Sequence, residues 1–433
     1  MASGLVLAAP TSGSGKTVLC AALLAHFRER GLAVRAFKAG PDYIDPGYHR
    51  MATGHDCVNL DPWGMRPETL AHRVSALSAG ADLVIGEGAM GLFDGARDGT
   101  GSTADLAARL GLPVLLVVDA RGQGASVAAL AEGFAGHRPD VTVAGVILNR
   151  VAGAAHEGLL RDALEARSVP VLGAVPRDEA LSLPSRHLGL VQACESDVSW
   201  AEDAAAIVAR SVDIDTLASL ARPLQIASGT APGAAIPPLG QRIAVARDAA
   251  FGFCYDALME DWRAAGAAVV PFSPLADKAP EPDADAIYLP GGYPELHAVR
   301  IADAARFLDG LRAAAARGVA VFGECGGYMV LGRGLTDADG RRHAMAGLLP
   351  LETSFQGRRL SLGYRHARLA ADGPLGKAGA RFRGHEFHYC RVVSEEAEQP
   401  LFSTQDATGQ QLGHAGMSVG TVSGSFIHLI DRA

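Results

Sequence analysis

Long apolar runs, paired cysteines and basic clusters are all missing from this chain. No stretch of about 18 or more consecutive apolar residues occurs, the length a membrane-spanning helix needs. The opening MASGLVLAAP has no basic segment of the kind that precedes a secretory apolar core. A cytoplasmic, non-membrane protein is therefore expected. The six cysteines (Cys20, Cys57, Cys194, Cys254, Cys325, Cys390) are scattered without a C-x-x-C pair, which argues against a disulfide framework or a zinc site. The formal net charge is −8 and no Lys/Arg run is present, so neither nucleic acid nor an anionic membrane is an expected partner. That total leaves room for a local basic pocket and a small anionic substrate. Repeats and low-complexity tracts are absent as well.

What is there suits an α/β protein. The 433 residues favour two or three domains over one, and 48% apolar residues supply large cores. In the first half GLVLA, AVRAFK, DLVIGE, PVLLVVD, VAGVIL and VPVLGAV read as buried strands, without polar alternation. Helical patterns lie between them at Val18–Arg30, Pro67–Ser78, Ala125–Gly136 and His156–Arg167. Continuous apolar strands alternating with helices predict a parallel sheet covered on both faces. Residues 221–240, ARPLQIASGTAPGAAIPPLG, lose charge and periodicity and read as a linker. The alternation then restarts with RIAVA, a helix over Tyr255–Ala265, AVVPF, AIYLPGG, a helix over Val299–Arg317 and VAVFGECGG. From Ala344 the tail is rich in strands and turns. Two domains are expected, over 1–220 and 241–433.

The stretch LAAPTSGSGKT, residues 7–17, carries Gly15-Lys16-Thr17 but has Pro10 where the phosphate-loop pattern G-x-x-x-x-G-K-[ST] places its first glycine. In such a loop backbone N–H groups, a helix N-terminus and a lysine surround the phosphates. Gly13, Ser14, Gly15, Lys16 and Thr17 are thus nucleotide-binding candidates, with the Thr17 hydroxyl able to ligate Mg²⁺. Pro10 lies at the strand exit, where no donor need face the phosphates. Asp42 and Asp45 in AFKAGPDYIDPGYH, and Glu87 and Asp94 in DLVIGEGAMGLFDG, are expected just beyond the carboxyl ends of parallel strands, the ligand side of open α/β sheets. Asn149, ending GVILNR, is a candidate for reading the adenine.

A second constellation lies in VFGECGGYMVLG. Cys325 stands in G-x-C-x-G between an apolar strand and a helical run, a nucleophile-elbow context. The Gly326 N–H is placed to face an oxyanion, with Gly291 and Gly292 of LPGGYPE completing the hole, and the helix N-terminus is expected to lower the thiol pKa. His428 in GSFIHLI is the candidate base. In RGHEFHYC, strand alternation puts Glu386 and His388 on one face; with no second ligand group at metal spacing, His385, Glu386, His388 and Cys390 suggest a substrate-facing or domain-interface strand rather than a metal centre.

These motifs carry a resemblance. The N-terminal half resembles dethiobiotin-synthetase-like ATPases, and the C-terminal half resembles class I glutamine amidotransferase domains. Their fusion in this order, with KAGPDYIDP, GEGAMGLFDG, LPGGYPE, GECGGY and GHEFHY, is similar over nearly the whole chain to the cobyrinic or hydrogenobyrinic acid a,c-diamide synthase family of corrinoid biosynthesis. The resemblance implies a P-loop parallel-sheet ATPase domain followed by a flavodoxin-like amidotransferase domain. It implies ATP and Mg²⁺ as cofactors, and L-glutamine and a polycarboxylate corrinoid as substrates; a homodimer stays open. Cys325 becomes the glutaminase nucleophile and His428 its base. Thr17, Asp42 and Glu87 become metal-site candidates, while Asp42, Ile44, Asp45 and Asp94 fall in loops that place substrate and nucleotide. Lys38, Arg50 and Arg97 are the candidate cations for substrate carboxylates. Two departures stand out: Pro10, and Ile430 where many class I amidotransferases carry a Glu two residues after the His, which leaves a Cys–His dyad. Related ligases acting on another tetrapyrrole, such as nickel-sirohydrochlorin, would share nearly the same motifs. A partitioning-type ATPase explains the first half only, and a stand-alone glutaminase the second only.

Overall fold

The computed structural model describes residues 2–186, 189–195, 199–225, 232–357, 359–396 and 399–433. They fall into two compact units, Met1–Trp63 with Pro67–Ala231, and Gly64–Arg66 with Pro232–Ala433. Of the stretch expected to be a linker, residues 226–231 lie outside the described residues. Arg222–Pro223 pairs antiparallel with Ser3–Gly4 in the first unit, whereas Ile236 and Leu239 are buried in the second. Among the described residues no helix is long and apolar enough to cross a membrane.

The first unit is built on strands β1 (Ser3–Ala8), β2 (Val34–Ala39), β3 (Val58–Leu60), β4 (Leu83–Glu87), β5 (Val114–Asp119), β6 (Val143–Val151) and β7 (Val171–Pro176), ordered β3-β2-β4-β1-β5-β6-β7. All six neighbouring pairs are parallel. Helices cover both faces, so Leu5, Leu7, Val84, Ile85 and Leu115–Val117 are fully buried and the strands read as apolar runs. The register sets Glu87, the last residue of β4, between Leu7 of β1 and Lys38 of β2. Helix α1 (Lys16–Glu29) connects β1 to β2. The segment after β2, expected as a loop, forms helix α2 from Asp45 (Asp45–Thr53), with Pro46 in its first turn and Gly54 closing it at φ 74°. Asp42 starts that helix, its Oδ1 accepting the N–H groups of Ile44 (2.7 Å) and Asp45 (3.1 Å).

The second unit joins a parallel half-sheet to an antiparallel extension. Ala268–Phe272, Arg242–Ala246, Ala286–Leu289, Ala320–Glu324 and Val422–Ser425 lie parallel in that order. The sheet continues antiparallel through Gln411–Val419, Pro400–Gln405, Ser361–Leu369, Arg381–His388 and Ile427–Arg432. The helix expected over Val299–Arg317 breaks at Ala304 (ψ 72°) into Ala298–Asp303 and Ala305–Ala316. The Asp277 carboxylate accepts the Phe307 N–H at 3.0 Å and so caps the second piece. Arg66 joins this unit through Asp431, its guanidinium 2.9 Å from Oδ1.

Gly86 is the tightest point of the central sheet. It pairs with Phe37, and a Cβ there would lie 2.0 Å from the buried ring's Cζ. Gly86→Ala should therefore cost about 1–3 kcal/mol through overpacking. Gly158, in the helix Ala154–Glu165, has nothing within 4 Å of an added methyl, and Gly158→Ala should stabilise by about 0.5–1 kcal/mol. Thermal unfolding of both variants checks this; equal, small shifts would show that the Gly86 site yields freely.

Candidate functional site

The phosphate loop runs from β1 into α1. Gly13 (φ 77°) and Gly15 (φ 92°) adopt the left-handed backbone that glycine tolerates, and a Cβ on Gly15 would sit 2.2 Å from Asn149 Nδ2. Asn149 lies inside β6, and its amide donates to the Ser14 carbonyl at 2.8 Å. Arg150 donates to the Gly13 carbonyl at 2.7 Å and also reaches Asp119. Asn149 thus braces the loop. Lys16 donates to the Met90 carbonyl at 2.6 Å, and burial lowers its pKa to about 8. Asp94 accepts the Gly91 N–H at 2.8 Å and closes the turn that presents Met90.

Glu87 is the hub. Its Oε1 accepts the Thr17 hydroxyl at 2.8 Å and lies 3.0 Å from Lys38 Nζ, while Oε2 lies 2.6 Å from His49 Nε2. Burial alone would raise this carboxyl, but Lys38 and then His49 override it and hold it well below the usual range. One expectation is corrected here: Glu87 ends a strand rather than lying beyond one. Lys38 is buried and committed to Asp45 and Glu87, which hold its pKa up despite burial. Arg50 is half-exposed and pairs with Asp56 at 3.0 Å. Ile44 is buried at the start of α2. His49 is not legible in the sequence: it lies on a helix that no apolar pattern signals, and only the sheet register brings Glu87 beneath it.

In the second unit Cys325 links the strand Ala320–Glu324 to the helix Gly326–Leu331 with φ 47° and ψ −102°, a conformation non-glycine residues seldom adopt. A Cβ on Gly327 would lie 1.9 Å from the Leu289 carbonyl oxygen, and one on Gly326 3.0 Å from the Gly292 nitrogen. The glycines let the two segments touch. The expected lowering of the thiol pKa is corrected. Burial, followed by Glu295, pushes Cys325 up, and the Gly326 N–H opposes this only in part. The His428 ring packs on Gly291, where a Cβ would meet Cε1 at 2.5 Å, and burial with His385 and His388 holds the imidazole neutral. His385 pairs with His428 across the sheet, ring centroids 5.0 Å apart. Glu386 and His388 share a face, with Arg365 2.7 Å from Glu386 and His388 3.0 Å from it. Among the described residues no group of three or more His, Cys, Asp or Glu converges as a metal site. The described cysteines Cys20, Cys57, Cys254, Cys325 and Cys390 are all free thiols.

One unit carries a strand–glycine-rich loop–helix and the other a strand–cysteine–helix, and sequence comparison gives the family of each unit. Residues 5–191 match the CobQ/CobB/MinD/ParA nucleotide binding domain, and residues 242–432 match the CobB/CobQ-like glutamine amidotransferase domain. Full-length relatives named hydrogenobyrinate a,c-diamide synthase come from Brucella abortus biovar 1 (strain 9-941), 56% identical over 99% of this chain and 98% of theirs. Others come from Rhizobium meliloti (strain 1021), 54% identical over 99% of each chain, and Agrobacterium fabrum, 50% identical over 100% of this chain and 99% of theirs. The chain belongs to the hydrogenobyrinate a,c-diamide synthase family.

The Glu87 cluster yields a pH prediction. Burial alone would lower the His49 imidazole, but Cys20 and Glu87 outweigh it and hold its pKa up at about 10, against an ordinary 6.5. A raised pKa adds stability that is fully present below pH 6.5 and lost as pH rises through about 10. Urea unfolding across that window should show stability falling by up to about 1.4 kcal/mol per pH unit through this group. His49→Gln should remove that part of the slope; an unchanged slope would mean His49 is neutral in the fold.

Proposed function

We propose that the chain amidates the a and c carboxylates of hydrogenobyrinate in cobalamin biosynthesis, consuming ATP and glutamine. One observation carries this: a lysine-bearing phosphate loop and a glycine-flanked cysteine elbow stand in one chain whose full-length relatives bear that name. Residues 1–220 serve as the synthetase and 241–433 as the glutaminase.

A carboxylate is a poor electrophile, so its oxygen first takes the γ-phosphoryl of ATP, giving an acyl phosphate and ADP. Gly13, Ser14 and Gly15 offer backbone N–H groups to the phosphates, and Lys16 leaves the Met90 carbonyl to pair with them. Thr17, Glu87 and Asp42 are the oxygen donors that would hold Mg²⁺, and a bound ion would offset charge on the transferred phosphoryl group. Asp42, Ile44, Asp45 and Asp94 shape the loops that seat the macrocycle and the nucleotide. In the glutaminase the Cys325 thiol passes its proton to His428 as sulfur attacks the glutamine amide carbon. The Gly326 and Gly292 N–H groups, with the Gly291 backbone beside them, receive the oxyanion. Ammonia leaves, water hydrolyses the thioester to glutamate, and ammonia displaces phosphate from the acyl phosphate.

The two chemistries are separable by nitrogen donor. Cys325→Ala should abolish glutamine-dependent diamide synthesis while ammonia-dependent synthesis persists. Lys16→Ala should remove synthesis with either donor by about a hundredfold or more. Product formation with each donor, followed chromatographically, checks both. Equal loss in Cys325→Ala with glutamine and ammonia would contradict the assignment of two sites.

A further inference from the structure

The dyad left by Ile430 has a buried carboxylate beside it from an unexpected direction. Glu324, the residue before the nucleophile, is 3% exposed. Its Oε2 lies 3.8 Å from His428 Nδ1 and accepts the Tyr288 hydroxyl at 2.7 Å. Its Oε1 accepts the N–H of Leu429, the residue after His428, at 3.1 Å. One carboxylate thus bonds to the strand of the base while standing next in chain to the nucleophile. The imidazole has a definite orientation between them, with Nδ1 toward Glu324 and the Cε1–Nε2 edge against Gly291, the glycine of the oxyanion segment.

Resting on the glutaminase assignment above, we propose that Glu324 is the positioning residue of this site, orienting His428 from the nucleophile's own strand in place of a carboxylate two residues after the histidine. When Sγ bonds to the amide carbon its proton moves to Nε2, and the Nδ1–H of the resulting imidazolium closes on Glu324 Oε2. The proton then leaves on the amide nitrogen as the C–N bond breaks, so Glu324 holds the ring and offsets its charge without taking a proton. This is the division of labour of a nucleophile–base–carboxylate triad, reached by a different chain path. At 3.8 Å the contact is longer than a hydrogen bond, as catalytic contacts often are without substrate, and it tightens in the substrate complex.

The groups facing Glu324 are Tyr288 from the strand Ala286–Leu289, His428 from Ile427–Arg432, and the Cys254 and Cys325 thiols; His385 and His388 act on His428 in turn. Burial pushes the Glu324 carboxyl up to about 7, against the pull of Tyr288 and the Leu429 N–H. The charge that steadies the imidazolium is therefore lost as pH drops through about 7.

The test uses the full chain with ATP, the corrinoid substrate and L-glutamine, following glutamate release and amide formation. Glu324→Gln should lower kcat about 10- to 100-fold with the KM for glutamine little changed, and should lose the acid limb near pH 7. Glu324→Asp should recover part of the rate and the limb. Ammonia-dependent synthesis in the same variants reports that the fold persists. A Glu324→Gln enzyme with wild-type kcat and pH profile overturns the proposal, as does one slowed equally with both donors or with its limb intact, since each marks a structural role. Full glutamine-dependent activity in Cys325→Ala would instead overturn the glutaminase assignment itself.

Discussion

An ionised carboxylate without access to water governs the first unit. Isolating such a charge in a protein interior costs several kcal/mol, so it survives only where cations and donors converge on it. Glu87, 1% exposed, meets Lys38 from β2, His49 from α2 and the Thr17 hydroxyl from α1. Each partner arrives by a different part of the chain: the order β2-β4-β1 supplies Lys38 and the phosphate loop, and Asp42, by starting α2, supplies His49. The same carboxylate that needs them fixes the hydroxyl at the first turn of the phosphate-loop helix. Loss of one cation would leave the rest of the cluster with an uncompensated charge, so this corner folds as a set.

The second unit works by the opposite electrostatic means. Burial pushes the Cys325 thiol up and the His428 imidazole down, so the resting pair is neutral. Backbone shape does the positioning: the strained Cys325, the Gly326 and Gly327 contacts with the segment at Leu289–Gly292, and the pairing of Glu324 with Ser425. Under the proposed function the difference is chemical sense. Phosphoryl transfer builds negative charge that fixed cations must meet, whereas a neutral thiol avoids unproductive reactions until a bound amide accepts the attack.

Much of this is readable from the sequence, for reasons of range. Gly15-Lys16-Thr17 after an apolar strand, and G-x-C-x-G between a strand and a helix, are local patterns whose geometry follows from a few neighbouring dihedrals. The fold class follows from apolar strands alternating with helices. Contacts set by register are not readable. The ion pair of Lys38 with Glu87 is hidden because nothing local says that β2 pairs with β4 opposite Glu87. Glu324 looks like a strand end because His428 approaches it from 104 positions away only after ten strands have found their order. The break at Ala304 depends on an Asp277 cap that no helical periodicity displays. The brace from Asn149 to the Ser14 carbonyl likewise joins positions 135 apart, and Gly15 leaves room for the amide.

The central claim is that the phosphate loop activates a substrate carboxylate by phosphorylating it. Substrate labelled with ¹⁸O in its reacting carboxyl groups tests this directly, with ATP and glutamine supplied to the full chain. Mass spectrometry of the released phosphate should find one ¹⁸O for each amide formed, because the bridging oxygen of the acyl phosphate leaves with phosphorus. Phosphate free of ¹⁸O alongside normal diamide product would contradict the account.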